Sequence, residues 1–303
     1  MPSAISRPAW LQAEAGRRRQ PTFWTQFIRN PQALAGGLVV AGIVVIALLA
    51  PILAPQDPNL PNPDRLYRPP SLAHPLGTDE IGRDILSRMI YGARISLAVG
   101  LTAMLLAGLI GVSLGAVSGY FGGQLDAVIM RLSDTFQAIP GLVLAIGILA
   151  VLGAGLSRVV LAIALTSWVA YARVVRSSYL SLKEQQFVEA ALAVGVRPPA
   201  VIVRHILPNA LGPILVILTL NVAGAILTEA SLGYLGLGVS APAATWGSML
   251  VQGQKLIRVA PHVAIFPGLA IFLTALSFNL LGEGLRDILD PTTRVAHRGR
   301  PKI

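Results

Sequence analysis

The sequence predicts an all-α polytopic membrane protein, and three observations carry that prediction. Of its 303 residues 54% are apolar and only 13% are charged, with a mean hydropathy of +0.67; a soluble domain carries about 25% charged residues. The apolar residues gather into six blocks, 33–54, 95–119, 139–156, 159–171, 211–232 and 263–281. Most are close to the roughly 20 residues that cross a hydrocarbon core. Six spans place both termini on one side, and the main basic clusters fall on that side too.

Residues 1–32 form the first unit. The basic, aromatic start RRRQPTFWTQFIRN reads as an interfacial elbow helix rather than a cleavable signal, with Phe23, Trp24 and Phe27 at headgroup depth. The first transmembrane helix, 33–54, ends at Pro51 and Pro55. The Pro-rich stretch 55–94 reads as an external loop closing in a short amphipathic helix. It balances Arg65, Arg68, Arg83, Arg88 and Arg94 against Asp57, Asp64, Asp79, Glu80 and Asp84. A five-helix core, 95–282, follows, with a charged segment 182–209 between its fourth and fifth spans and a C-terminal tail 283–303.

Within that core, Gly111, Gly115 and Gly119 share one helical face, which permits close packing of two helices. The short block 159–171 extends to about residue 177 by carrying Arg173 and Arg176 into the headgroups. Between Tyr234 and His262, Trp246 marks the outer interface beside an amphipathic piece, WGSMLVQGQKLI, and offers a contact for an external binding protein.

The charge balance fixes sidedness. Arg7, Arg17, Arg18, Arg19 and Arg29 face only Glu14 in the N-terminal tail. Arg286, Arg294, Arg298, Arg300 and Lys302 outnumber Glu283, Asp287 and Asp290 in the C-terminal one. The segment 173–209 adds Arg173, Arg176, Lys183, Arg197 and Arg204 against Glu184 and Glu189. The positive-inside rule makes all three cytoplasmic. A pI near 10.8 and a net charge of +10 would point to nucleic acid in a soluble protein. Here the same charges mark sidedness against lipid, and no nucleic acid is expected.

Several chemistries are disfavoured. The chain has no cysteine, so it has neither disulfides nor thiolate metal sites. His74, His205, His262 and His297 lack ligand spacing and are expected to be solvated or interfacial. GVSLG at 111–115 matches a serine-hydrolase pattern, but that chemistry needs a strand–turn–helix, not a membrane helix. None of Lys183, Lys255 and Lys302 follows a glycine, so no phosphate-binding loop of the GxxxxGK[ST] kind exists.

Charged residues return in EAALAVGVRPPAVIVRHILPN, residues 189–209. Val188, Ala191, Leu192 and Gly195 share one helical face, Gly195 suits a left-handed cap, and Pro198 and Pro199 end one helix and open a second. A helix–turn–helix of this kind is either a surface loop or a docking element. In the second case the face of Val188, Ala191 and Leu192 would meet the partner.

The spacing Glu189-Ala190-Ala191, Gly195, Leu207-Pro208 resembles the EAA signature of bacterial ATP-binding-cassette importer permeases, with His205 where the consensus has Ile. HPLGTDEIGRDILSRMIYGARISL at 74–97, GYFGG at 119–123, LTEASLGYLGLG at 227–238 and GLRDILDP at 284–291 are similar to the C-type permeases of dipeptide, oligopeptide and nickel importers. The resemblance implies a six-helix type I permease fold in the bacterial inner membrane. It also implies a heterodimer with a second permease, two partner ATPase subunits that use ATP and Mg, and an external substrate-binding protein. Glu189, Ala190, Ala191, Gly195, Leu207 and Pro208 would form the ATPase-coupling helix. This chain would bind no cofactor itself and would carry peptides, nickel chelates or another small solute.

Two polar residues within the spans are further candidates. Glu229 lies about 27 Å from Leu211 at ~1.5 Å per residue, near the outer interface. It would pair with an Arg, cap the GYLGLG turn, or line an outer gate. Asn221 lies deeper and would line the path or bond a neighbouring helix.

Overall fold

The computed structural model describes residues 22–239 and 242–289, and its regular structure is helical apart from one isolated bridge between Thr78 and Asp84. The elbow is a helix, α1 (Phe23–Arg29), whose exposed Phe23 and Trp24 stack edge to face at 5.6 Å. Asn30 then turns the chain, its side chain accepting the Ala33 N–H at 3.0 Å to cap α2 (Pro31–Leu48). A short α3 (Ala50–Leu53) completes the first apolar block. The tail arginines Arg7, Arg17, Arg18 and Arg19, with Glu14, lie outside the described residues. So do Asp290, Pro291, Arg294, His297, Arg298, Arg300 and Lys302.

The external loop is shorter than the sequence predicts, because α4 (Ile85–Phe121) takes residues 85–94 into one unbroken helix. Asp84 starts it, its carboxylate accepting the Ser87 N–H at 2.8 Å, and nothing between there and residue 121 breaks it. Thirty-seven residues correspond to about 55 Å of helix, against a core of ~30 Å. The polar first turns therefore stand clear of the hydrocarbon.

The third predicted span, 139–156, is not a span by itself. Pro140 lacks an N–H and disfavours helix in the residue before it. The chain divides into α5 (Gly123–Gln137) and α6 (Gly141–Leu152), bent by 89°. At 12 residues, α6 is only about 18 Å long. Among the described residues five helices are long and apolar enough to cross a membrane, and the bent pair counts as a sixth span only when taken together.

The remaining spans run longer than their apolar cores. They are α7 (Leu156–Leu182), α10 (Leu207–Tyr234) and α12 (His262–Leu289), the last taking in residues 283–289 of the predicted tail. Before α10 come α8 (Gln186–Ala193), α9 (Pro198–Ala200) and a π-helical turn, Val201–Ile206. Pro208 has no N–H to offer the preceding turn, and the Asn209 side chain instead donates to the His205 carbonyl at 2.6 Å. Outside, α11 (Trp246–Gln254) opens with a reciprocal cap between Thr245 and Ser248.

The glycine stripe does what its spacing predicts. A Cβ on Gly111, Gly115 or Gly119 would run into α7 at Trp168, Ala172 and Tyr179 respectively, so α4 and α7 meet backbone to backbone. Around that seam, Ala103, Met104, Ala107, Tyr171, Val222 and Ile226 form the core. Leu38, Leu105, Leu109, Val151 and Phe272 are exposed on the outside of the bundle, as lipid-facing residues are.

Candidate functional site

The segment between α7 and α10 is a hairpin built on the ends of those two helices. Gln185 starts α8 with no side-chain cap, and Glu189 lies in its first turn, where a negative charge favours the positive helix end. Gly195 adopts φ +83° with open space around its missing Cβ, and the Val196 N–H closes the turn onto Ala191 O at 3.1 Å. The left-handed conformation selects glycine there. Arg197 precedes α9, whose two prolines occupy its first positions.

The hairpin's inward face differs from the docking face expected for Val188, Ala191 and Leu192. Val188 is wholly buried, packed with Val175, Tyr179, Val201 and Ile206 of the same chain, and Ala191 is nearly buried. The Tyr179 hydroxyl donates to the Ile202 carbonyl at 3.1 Å beneath them. Leu192 points outward with Phe187 and Val194, at 45%, 40% and 80% exposure. Glu189, Ala190 and Gly195 are exposed as well, and Pro208 is exposed while Leu207 is half-buried. The reason is register: an eight-residue helix resting on its own chain needs only the i, i+3 strip inside.

Near the outer end, Glu229 is fully buried yet pairs with no arginine. Ser96 of α4 donates to its Oε2 at 3.4 Å, and Oε1 has no hydrogen-bond partner. Trp246, expected at the interface, is buried; its indole N–H donates to Met89 O at 3.0 Å and its backbone N–H to Ser96 Oγ at 3.3 Å. Asn221 sits half-buried beside Tyr171, whose hydroxyl reaches Met104 Sδ at 3.4 Å.

Sequence reasoning missed a buried ionic network in the external segment. Asp79 holds Arg83 at 2.7 Å and lies 3.5 Å from Arg88 Nε, whose Nη1 donates to Pro58 O at 3.1 Å. His74 is buried, not solvated. Arg65 donates to its Nε2 at 2.9 Å, and because arginine can only donate, the Nδ1–H is the one directed at Asp84, 3.0 Å away. The alternation of Arg and Asp in GTDEIGRDILSR was the available signal. Toward the hairpin end of α7, Arg176 grips Asp126 with two bonds of 2.5 and 2.6 Å, and Arg173 reaches Asp134 at 2.7 Å, which ties α5 to α7. Ser113 of GVSLG lies mid-helix and donates to Leu109 O at 2.7 Å, so no nucleophile elbow forms.

Comparisons agree with this architecture. Residues 111–295 match the family model described as binding-protein-dependent transport system inner membrane component. Residues 22–70 match the N-terminal TM domain of oligopeptide transport permease C. The chain is 46% identical over 270 residues to a glutathione transport system permease protein of Pectobacterium atrosepticum, covering 89% of this chain and 90% of that one. A glutathione transport system permease protein of Escherichia coli is also 46% identical, with 89% of each chain covered. Among solved structures, an inward-facing conformation of the MetNI methionine ABC transporter shares the fold. Its TM-score is 0.56 at 17% identity, over 68% of this chain and 98% of that one. The chain therefore belongs to the binding-protein-dependent inner-membrane permeases, as a C-type permease of the peptide-importer family with the type I ABC importer fold, a multi-pass transport component rather than an enzyme.

Proposed function

We propose that this permease forms, with a second permease, the membrane path of an importer for small peptides, driven by ATPase subunits that dock on residues 182–209. The observation that carries the reading is the outward set on α8. Phe187, Leu192 and Val194 stand exposed on a charged hairpin, while the helix's only two buried residues pack on its own chain. Such apolar exposure on an otherwise polar element is what a partner covers. Burying Val188 and Ala191 stiffens the hairpin against α7 and α10, so a push on α8 passes into both spans. ATP and Mg belong to the partner ATPase. The peptide cargo draws support from the relatives named for glutathione transport. In this reading both termini are cytoplasmic.

The test measures ATPase affinity beside the thermal stability of the isolated permease pair. Leu192→Asp, which places a charge in the docked interface, is expected to weaken ATPase binding by tenfold or more, about 1.4 kcal/mol, with stability unchanged. Glu189→Ala is expected to lower affinity or coupling in the same way. Unchanged affinity for both variants overturns the docking surface. In the cysteine-free background, Asn62→Cys is expected to react with an impermeant thiol reagent from outside and Arg197→Cys is not. Peptide uptake by the reconstituted importer tests the cargo; uptake of a nickel chelate in its place would reassign it.

A further inference from the structure

We propose that Glu229 is the positioning residue that locks the external helix α11 onto the outer ends of α4 and α10, so that the mouth of the permease moves as one block. Among the described residues it is the one buried carboxylate within a span helix, near that helix's end. Its hydrogen-bond chain crosses three elements. The Trp246 N–H, at the first residue of α11, donates to Ser96 Oγ on α4; the Ser96 hydroxyl donates to Glu229 Oε2 on α10. Thr245, the cap residue of α11, lies beside the carboxylate as well. Glu229 thus sits at the amino end of α11, where unpaired N–H groups leave partial positive charge.

The surroundings make the contact a lock rather than a passing bond. Gly247 of α11 lies so close to Ala230 that a Cβ there would stand 2.5 Å from its Cα, and Gly253 meets Ala264 in the same way. The helix is wedged between α10 and α12 by shape, and held by polar bonds only at its first turn. Its Met249 is consequently buried, in a cluster with Ile85, Ala244, Ala260 and Val263. A role in the substrate path is less well supported by the placement. The groove nearby is lined by Leu142, Leu227, Ala230, Ser231, Tyr234 and Leu250, and Glu229 does not line it. The lock does not depend on where the ATPase docks.

The absence of cysteine from the sequence provides the experiment. Met249→Cys reports the seating of α11, and Ser133→Cys, buried on α5, reports the fold far from the mouth. Adding Glu229→Ala is expected to speed thiol labelling at position 249 about tenfold, equivalent to ~1.4 kcal/mol, with position 133 still shielded. Glu229→Gln keeps an acceptor for Ser96 and is expected to restore most of the shielding and the uptake. If both Glu229 variants abolish uptake while position 249 stays shielded, Glu229 acts on the substrate and the lock is overturned. If Glu229→Ala exposes position 133 as well, the decision passes to Ser96→Ala. That variant is expected to expose position 249 alone, and unaltered shielding there overturns the proposal.

Discussion

The two ends of the bundle treat charge in opposite ways. In the external segment, His74, Asp79, Arg83, Asp84 and Arg88 are buried and bonded to one another. In the hairpin between α7 and α10, Glu184, Glu189, Arg197 and Arg204 are exposed and form no ion pair among the described residues, and apolar Phe187, Leu192 and Val194 stand out beside them. Burying a charge costs several kcal/mol unless its partner is in place. The outer segment must therefore be completed within the chain. The hairpin leaves its apolar surface open, and the proposed docking would give that surface its complement in another subunit.

The most severe way to break the contrast is Asp79→Ala, which leaves Arg83 and Arg88 buried without their carboxylate. Removing one partner of a buried pair costs about 3–5 kcal/mol, so the unfolding temperature of the purified permease is expected to fall sharply. An unchanged melting curve would mean the outer network is not what holds that end together.

A smaller stability change, with a larger functional one, is expected at the hairpin. Gly195→Val meets no neighbour, so its cost is the left-handed backbone alone, about 1–2 kcal/mol for a residue with a side chain. Insertion into the membrane is expected to be normal and uptake lost. Gly195→Asn, which tolerates that conformation better, is expected to retain part of the uptake. Normal uptake by the Val variant would remove the reason to treat the turn as a rigid transmitter.

The smallest effect sharpens the comparison within one pair of helices. Arg173 and Asp134 are a well-exposed pair, and such pairs contribute about 0–1 kcal/mol. Arg176 and Asp126 are less exposed and doubly bonded. Arg173→Ala is expected to leave the melting temperature nearly unchanged, and Arg176→Ala to lower it measurably at both low and high salt. Equal effects would show that exposure does not grade these pairs.

Where the physics is local, the sequence was readable. Apolar blocks marked the spans, the stripe of Gly111, Gly115 and Gly119 marked the α4–α7 seam, and Gly195 with Pro198 and Pro199 marked the hairpin. The break at Pro140 was also written in the sequence, but the apolar run on either side of it masked the bend. Which face of α8 looks outward was not legible, because Ala190 and Ala191 have the same chemistry and only the folded chain buries one and exposes the other.

By itself, then, the sequence determined the all-helical membrane class, the order of its spans and the position of the hairpin, because each follows from hydropathy and backbone chemistry within a few turns. Only the tertiary structure decided that His74 and Asp84 are partners, that Trp246 is buried against α4, and that Glu229 meets Ser96 and the first turn of α11. Ser96 and Glu229 stand 133 residues apart, and no periodicity along the chain records which helix ends will be brought together. That pairing is set by how close two backbones can approach, which the glycines permit and the packing of the whole bundle selects.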